Sequence, residues 1–136
     1  MQIHTIPGKL TVQWEPSVRA IVDTWTAYTV SLAEFKEAVL EKGLSHAKAN
    51  NGQAWIVDSS GAEGNFTKEC QDFIASDIFP AFAASGIKYF ITIKSKSALT
   101  NMTIRSYEAK TGPNGLQLVE ATDKAGAIEW LKANAS

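Results

Sequence analysis

Cysteine is almost missing from this chain. Cys70 is the only one in 136 residues, so no intramolecular disulfide can form. Histidine is nearly as scarce. His4 and His46 have no carboxylate or cysteine at ligand spacing, so neither a metal nor any other cofactor is expected. An excess of charge of one sign is lacking too: 13 basic against 14 acidic residues leave a formal net charge of -1. No global field then steers the protein toward nucleic acid, and no nucleic-acid partner is expected. No apolar run approaches the ~20 residues of a membrane span, so no membrane insertion is expected. The opening Met1-Gln2-Ile3-His4-Thr5-Ile6-Pro7-Gly8 lacks the basic start and apolar stretch of a signal peptide, and the expected location is cytoplasmic. Nucleophile-elbow, phosphate-loop, dinucleotide and paired-carboxylate signatures are also missing, and no enzyme is expected.

What remains is an ordinary globular composition, 45% hydrophobic and 20% charged, read here as one domain over residues 1–136. Leu10, Val12 and Trp14 alternate with polar neighbours, the period of a half-buried strand. After Glu15-Pro16-Ser17, Arg19 to Asp23 forms a second strand, so the first runs antiparallel to it. Ser31-Leu32-Ala33-Glu34 is a capping box opening a helix that Gly43 interrupts and Asn50-Asn51-Gly52 ends. Ala54 to Asp58 reads as a buried central strand, followed by a loop from Ser59 to Asn65. A helix capped by Thr67 carries Cys70, Phe73, Ile74 and Ile78 on one face, with a kink or restart at Pro80 and a stop at Gly86. Ile87 to Ile93 alternates as a fourth strand. Ser97 to Lys110 is a threonine-rich helix with Leu99, Met102 and Tyr107 as its contacts. The turn Gly112-Pro113-Asn114-Gly115, a fifth strand at Leu116 to Val119 and a final helix at Asp123 to Asn134 complete the chain.

The predicted fold is therefore α/β, with five strands parallel except the N-terminal one and about four helices. Arg19/Asp23, Lys88/Thr92 and Gln117 stand opposite the apolar rows of their strands. This places the helices mainly on one face and leaves the other partly open.

That order resembles the STAS domain of anti-sigma factor antagonists and, more closely, the small SpoIIAA-like proteins of bacteria. The residues that carry the likeness are Trp14 before the hairpin turn, Glu34-Phe35, Trp55-Ile56-Val57-Asp58, Gly86-Ile87-Lys88 and Ala127-Ile128-Glu129-Trp130-Leu131. They are mostly core and turn residues, so the likeness speaks to fold more than to activity. It also implies that Ser60 of Asp58-Ser59-Ser60-Gly61 corresponds to a serine whose phosphorylation switches partner binding. In that family the motif opens a helix. Here Ala62-Glu63-Gly64-Asn65 follows, and the expectation from the residues is a local turn at Asp58 and Ser59.

Ligands of open α/β sheets favour the carboxyl ends of the strands. Those ends are Asp58, Ser59, Ser60 and Gly61 after the third strand, and Lys94, Ser95, Lys96 and Ser97 after the fourth. Together they are the candidate rim for a partner or an anion, with Asp58 expected to pair with Lys94 or Lys96. Cys70 is expected to be a buried small hydrophobe and the histidines to be at the surface. Trp55 and Trp130 are assigned to the core, and Trp14 and Trp25 to partly exposed positions.

Three functions follow. The first is a non-catalytic binding or regulatory module engaging a protein partner or a second copy of itself. The second is a carrier for a small apolar or lipid-like ligand, suggested by Phe66, Phe73, Phe79, Phe82, Tyr89 and Phe90. The third is a phospho-switched antagonist using Ser60.

Overall fold

In the computed structural model of the chain, which describes residues 1–135, a six-stranded mixed sheet runs in the order of the sequence. β1 (Gln2–Ile6), β2 (Leu10–Glu15) and β3 (Ala20–Trp25) pair antiparallel. β4 (Ala54–Asp58), β5 (Tyr89–Ile93) and β6 (Gln117–Ala121) then add in parallel. The expected five strands are thus six. Ile3 and Ile6 give β1 only a short apolar signal, yet both pack on the core once Gly8, at φ 72°, turns the chain back.

Four helices accompany the sheet. α1 (residues 32–49) opens on the expected capping box: Ser31 Oγ accepts from the Glu34 amide at 3.1 Å, and Glu34 returns to the Ser31 amide at 2.9 Å. α2 (residues 68–84) is capped by Thr67, whose Oγ1 accepts from the Cys70 amide at 3.1 Å. α3 is Ala98–Glu108 and α4 is Lys124–Asn134. Both α1 and α2 contain π-helical turns, at Lys36–Leu44 and Ile74–Ile78. The second precedes Pro80, which has no amide to offer the Ser76 carbonyl, so the helix loosens where a kink was expected and then continues.

Right-handed crossovers between strands added in one direction put α1, α2 and α3 on the same side. Ile21 and Trp25 of β3, Trp55 and Val57 of β4 and Phe90 of β5 face that layer and share its core. The opposite face is less open than expected. α4 lays Ala127 and Leu131 across Val22, Ile56, Ile91 and Ile93, all buried. The alternation of β5 therefore separates two buried rows, with Phe90 and Thr92 beneath the three helices and Ile91 and Ile93 beneath α4.

Several side chains depart from their expected places. Asp23, read as part of a polar row, is 2% exposed on the helix-covered face. Trp14 and Trp25 are buried, whereas Trp130 is half-buried against Tyr89. The cap at Ser97 phases α3 so that Thr100, Thr103, Ile104 and Tyr107 point inward, while Leu99 and Met102 are exposed. The threonines serve there because they bond the preceding loop, Thr100 Oγ1 donating to the Gly64 carbonyl at 2.8 Å. Cys70 is a buried free thiol, as expected. The histidines are half-buried rather than at the surface, His46 standing edge-on to Trp14 at 5.1 Å.

Gly43 does not break α1. It is the one position on that helix where the Trp55 ring fits: a Cβ built there would lie 2.9 Å from the indole. Gly43→Ala is expected to lower stability by about 1–3 kcal/mol through overpacking, read as a drop in the urea midpoint without a change in slope. An unchanged midpoint would show that the Trp55 ring yields freely.

Candidate functional site

The two loops of the predicted rim do meet. Ser95 Oγ donates to the Ala62 carbonyl at 2.6 Å and accepts from the Ser97 amide at 2.9 Å, while the Ser59 amide donates to the Ile93 carbonyl at 3.0 Å. The Asn101 side chain clamps Ser95 from both sides, accepting from its amide and donating to its carbonyl. Ser60, Gly61, Glu63, Lys96 and Ser97 border a shallow groove of about 350 Å³ at this edge.

The eight rim residues divide by what they touch. Ser59 and Ser95 are buried and hold the loops. Asp58 does not pair with Lys94 or Lys96. Its Oδ1 accepts from the Ser60 amide at 3.0 Å and from the Ser60 hydroxyl at 2.7 Å, a local turn, and Lys94 reaches Glu120 at 3.4 Å instead. Parallel pairing of β5 with β6 explains the exchange, because it sets Glu120 beside Thr92, at the end of β5 from which Lys94 emerges. Ser60 is exposed, but a phosphate on it would sit against the Asp58 carboxylate, and helix amides begin only beyond Thr67. Gly61, Lys96 and Ser97 complete the groove, Ser97 as the cap of α3.

A second site lies inside the molecule, bordered by Phe66, Phe79, Phe82 and Phe90 of the aromatic residues that suggested a carrier, but not by Phe73 or Tyr89. Between the sheet and α1 and α2, Trp25, Trp55, Phe79, Phe82, Phe90 and Tyr107 surround a cavity into which Asp23 projects. The cavity is small, about 30 Å³ measured as the space open to the centre of a water molecule. Asp23 and Tyr107 bring the ionisable groups of its lining, and no lysine, arginine or histidine borders it. Asp23 Oδ2 accepts from the Trp55 indole N–H at 2.8 Å, while Oδ1, fully buried, has no partner among the described residues. Burial pushes this carboxyl up to about 7 against the opposing pull of the Trp55 hydrogen bond.

Beside the cavity, the Tyr28 hydroxyl bonds both Ser59 Oγ and, at 3.1 Å, the Tyr107 hydroxyl. Burial raises both phenols, Tyr28 to about 12 and Tyr107 well above its ordinary value, so both stay protonated and satisfy one another. Glu108, also buried, accepts from the Thr92 hydroxyl at 2.6 Å. Sequence reasoning missed Asp23 because one acidic residue in an alternating strand reads as solvent-facing. Asp23 shares its parity with the buried Ile21 and Trp25, but Arg19 has that parity too and Val22 on the other face is equally apolar, so the alternation did not single it out.

Searches against protein-family profiles, curated proteins and solved structures return no match to this chain. Among the described residues no three histidine, cysteine, aspartate or glutamate side chains converge as a metal site would require, and no helix is long and apolar enough to cross a membrane.

Asp23 gives stability a definite pH dependence. Its carboxyl ionises near 3.8 in the unfolded chain and near 7 in the folded one, so between those values the native state holds more protons. This contribution is fully present below pH 4, declines as pH rises through 7 and is lost above, by up to about 4 kcal/mol. Thermal melts of the wild type should therefore shift downward between pH 5 and pH 8, and Asp23→Asn should remove most of that slope. Parallel pH profiles for the two proteins would rule it out.

Proposed function

We propose that this chain is a non-catalytic binding module of the SpoIIAA-like kind, whose ligand is a small apolar molecule held in the cavity between the sheet and helices α1 and α2. The observation that carries the reading is Asp23, a carboxyl in the lining of an otherwise aromatic and aliphatic cavity whose Oδ1 is buried with no protein partner among the described residues. An unsatisfied buried polar atom costs about 1–3 kcal/mol, and a site that keeps one needs a compensating use for it. An apolar pocket with one oriented polar group is the usual design of a small-molecule site.

Two further features support it. The buried hydroxyls of Tyr28, Ser59 and Tyr107 are spent on each other, a bracing role rather than a reactive one. The π-helical turns of α1 and α2 contribute Val39, Ile74 and Ile78 to the cavity wall. Wide turns of this kind are frequent at functional positions, and here they form part of the wall that must yield to admit a guest. The SpoIIAA-like assignment is supported by the leading antiparallel strands and by three helices on one face.

A protein partner at the rim is a second reading, favoured by the groove between the loops and its mixed lining of Glu63 and Lys96. It requires no change in the cavity, so the two readings separate cleanly.

The test is titration of the ¹⁵N-labelled protein with isobutene, an apolar molecule smaller than benzene, following the Trp55 indole resonance identified by its loss in Trp55→Phe. Saturable movement of that signal is expected. Val39→Leu, which adds a methylene to the cavity wall, should weaken the effect several-fold, and Lys96→Glu should leave it alone. No movement of the indole signal up to the ligand's solubility would refute the cavity as a binding site.

A further inference from the structure

Resting on the cavity reading above, we infer that Asp23 meets its ligand as the neutral acid, with the hydroxyl on Oδ1, and that the ligand is a compact apolar molecule carrying one carbonyl oxygen. The geometry places the proton. Oδ2 is committed as an acceptor to the Trp55 indole N–H, which stacks on Phe82 at 4.2 Å and is wedged against Gly43. A hydrogen on Oδ2 would compete with that bond, so the acid hydrogen belongs on Oδ1, the oxygen that lacks a partner. What Oδ1 then needs is an acceptor, and the protein offers none.

The surroundings select the same form. β4, α1 and α2 bring only apolar and aromatic side chains to the cavity, so no cation is present to hold a carboxylate. The titratable neighbours are the phenols of Tyr28 and Tyr107 and the carboxyl of Glu108. The phenols are engaged with each other and with Ser59, and Glu108 is engaged with Thr92, so none is directed at Oδ1. A carbonyl needs one donor, and an apolar body needs no more than the aromatic and aliphatic walls around it.

Size sets a further limit. A cavity that accepts benzene measures about 150 Å³, five times the space available here, about 30 Å³. The ligand is therefore compact, and its entry displaces α1 from α2 rather than filling a standing void. The two π-helical stretches lie where that displacement must occur.

The experiment compares acetone with isobutene, two molecules of one shape, both smaller than benzene, that differ in the acceptor, each titrated at pH 6 and pH 8 with the Trp55 indole resonance as the readout. At pH 6 the ketone should bind about tenfold more tightly, the worth of one net hydrogen bond. Between pH 6 and pH 8 its affinity should fall about tenfold as Asp23 ionises, while that of the hydrocarbon stays level. Asp23→Asn, whose amide donates from the same place, should keep the ketone preference and lose the pH dependence. Equal binding of the two molecules at both pH values would overturn the carbonyl assignment and leave the apolar site standing. Tighter binding at pH 8, or capture of isopropylamine in preference to the ketone, would overturn the neutral acid. Failure of both molecules to move the indole signal would remove the site itself, and this inference with it.

Discussion

The hydrogen bond from Trp55 to Asp23 is the constraint to which much of the helix-covered core answers. It joins β3 to β4, the first parallel pair in the sheet, two residues out of register on one face. To make it, the indole must lie flat along the sheet, which requires Phe82 behind it and no side chain at position 43. The bond also fixes which carboxyl oxygen is occupied and which is left without a partner. A hydrogen bond to a buried carboxyl is worth more than an exposed one, and here it only partly offsets the desolvation of the acid. The core is thus built around a group that makes it less stable than an all-apolar equivalent would be. Selection for packing alone gives no reason to keep it.

Around that bond the aromatic residues form a graded wall. Tyr28 stacks on Phe66 at 4.1 Å, and Trp25 and Phe35 meet the same Phe66 edge-on at 5.1 and 5.3 Å. Phe79 reaches Phe90 across the helix–sheet boundary at 5.1 Å. The polar end of the wall closes on itself through Tyr28, Ser59 and Tyr107, so Asp23 is left as the one buried group in the cavity lining with an unanswered oxygen.

Much of the architecture was legible in the sequence because local rules and the tertiary fold agree. The capping box at Ser31, the Thr67 cap and the left-handed Asn51 each stand where short-range chemistry puts them. β1 was not legible, since five residues with two isoleucines make too short a pattern and the strand owes its place to pairing with β2. The inward face of α3 was misjudged for a related reason: Leu99 and Met102 carry the hydrophobicity, but loop carbonyls waiting at Gly64 attract the threonines instead. The meeting of the rim loops followed from parallel neighbours and was foreseeable. The fate of Asp23 depended on which parity of β3 lies beneath α1 and α2, and a strand buried on both faces hides that distinction.

The strands pair in the order in which the chain lists them. Each one therefore adds to an edge that its predecessor has just completed, and no strand must wait for a later segment to be threaded between two others. Synthesis from the N-terminus can lay the sheet down stepwise, with modest loop closures at each addition. The second face is the exception. Val22, Ile56 and Ile91 gain their cover from α4, which follows all six strands in the chain. Until that helix has left the ribosome, the assembled sheet presents an uncovered apolar face, and the nascent chain is exposed to aggregation in that interval.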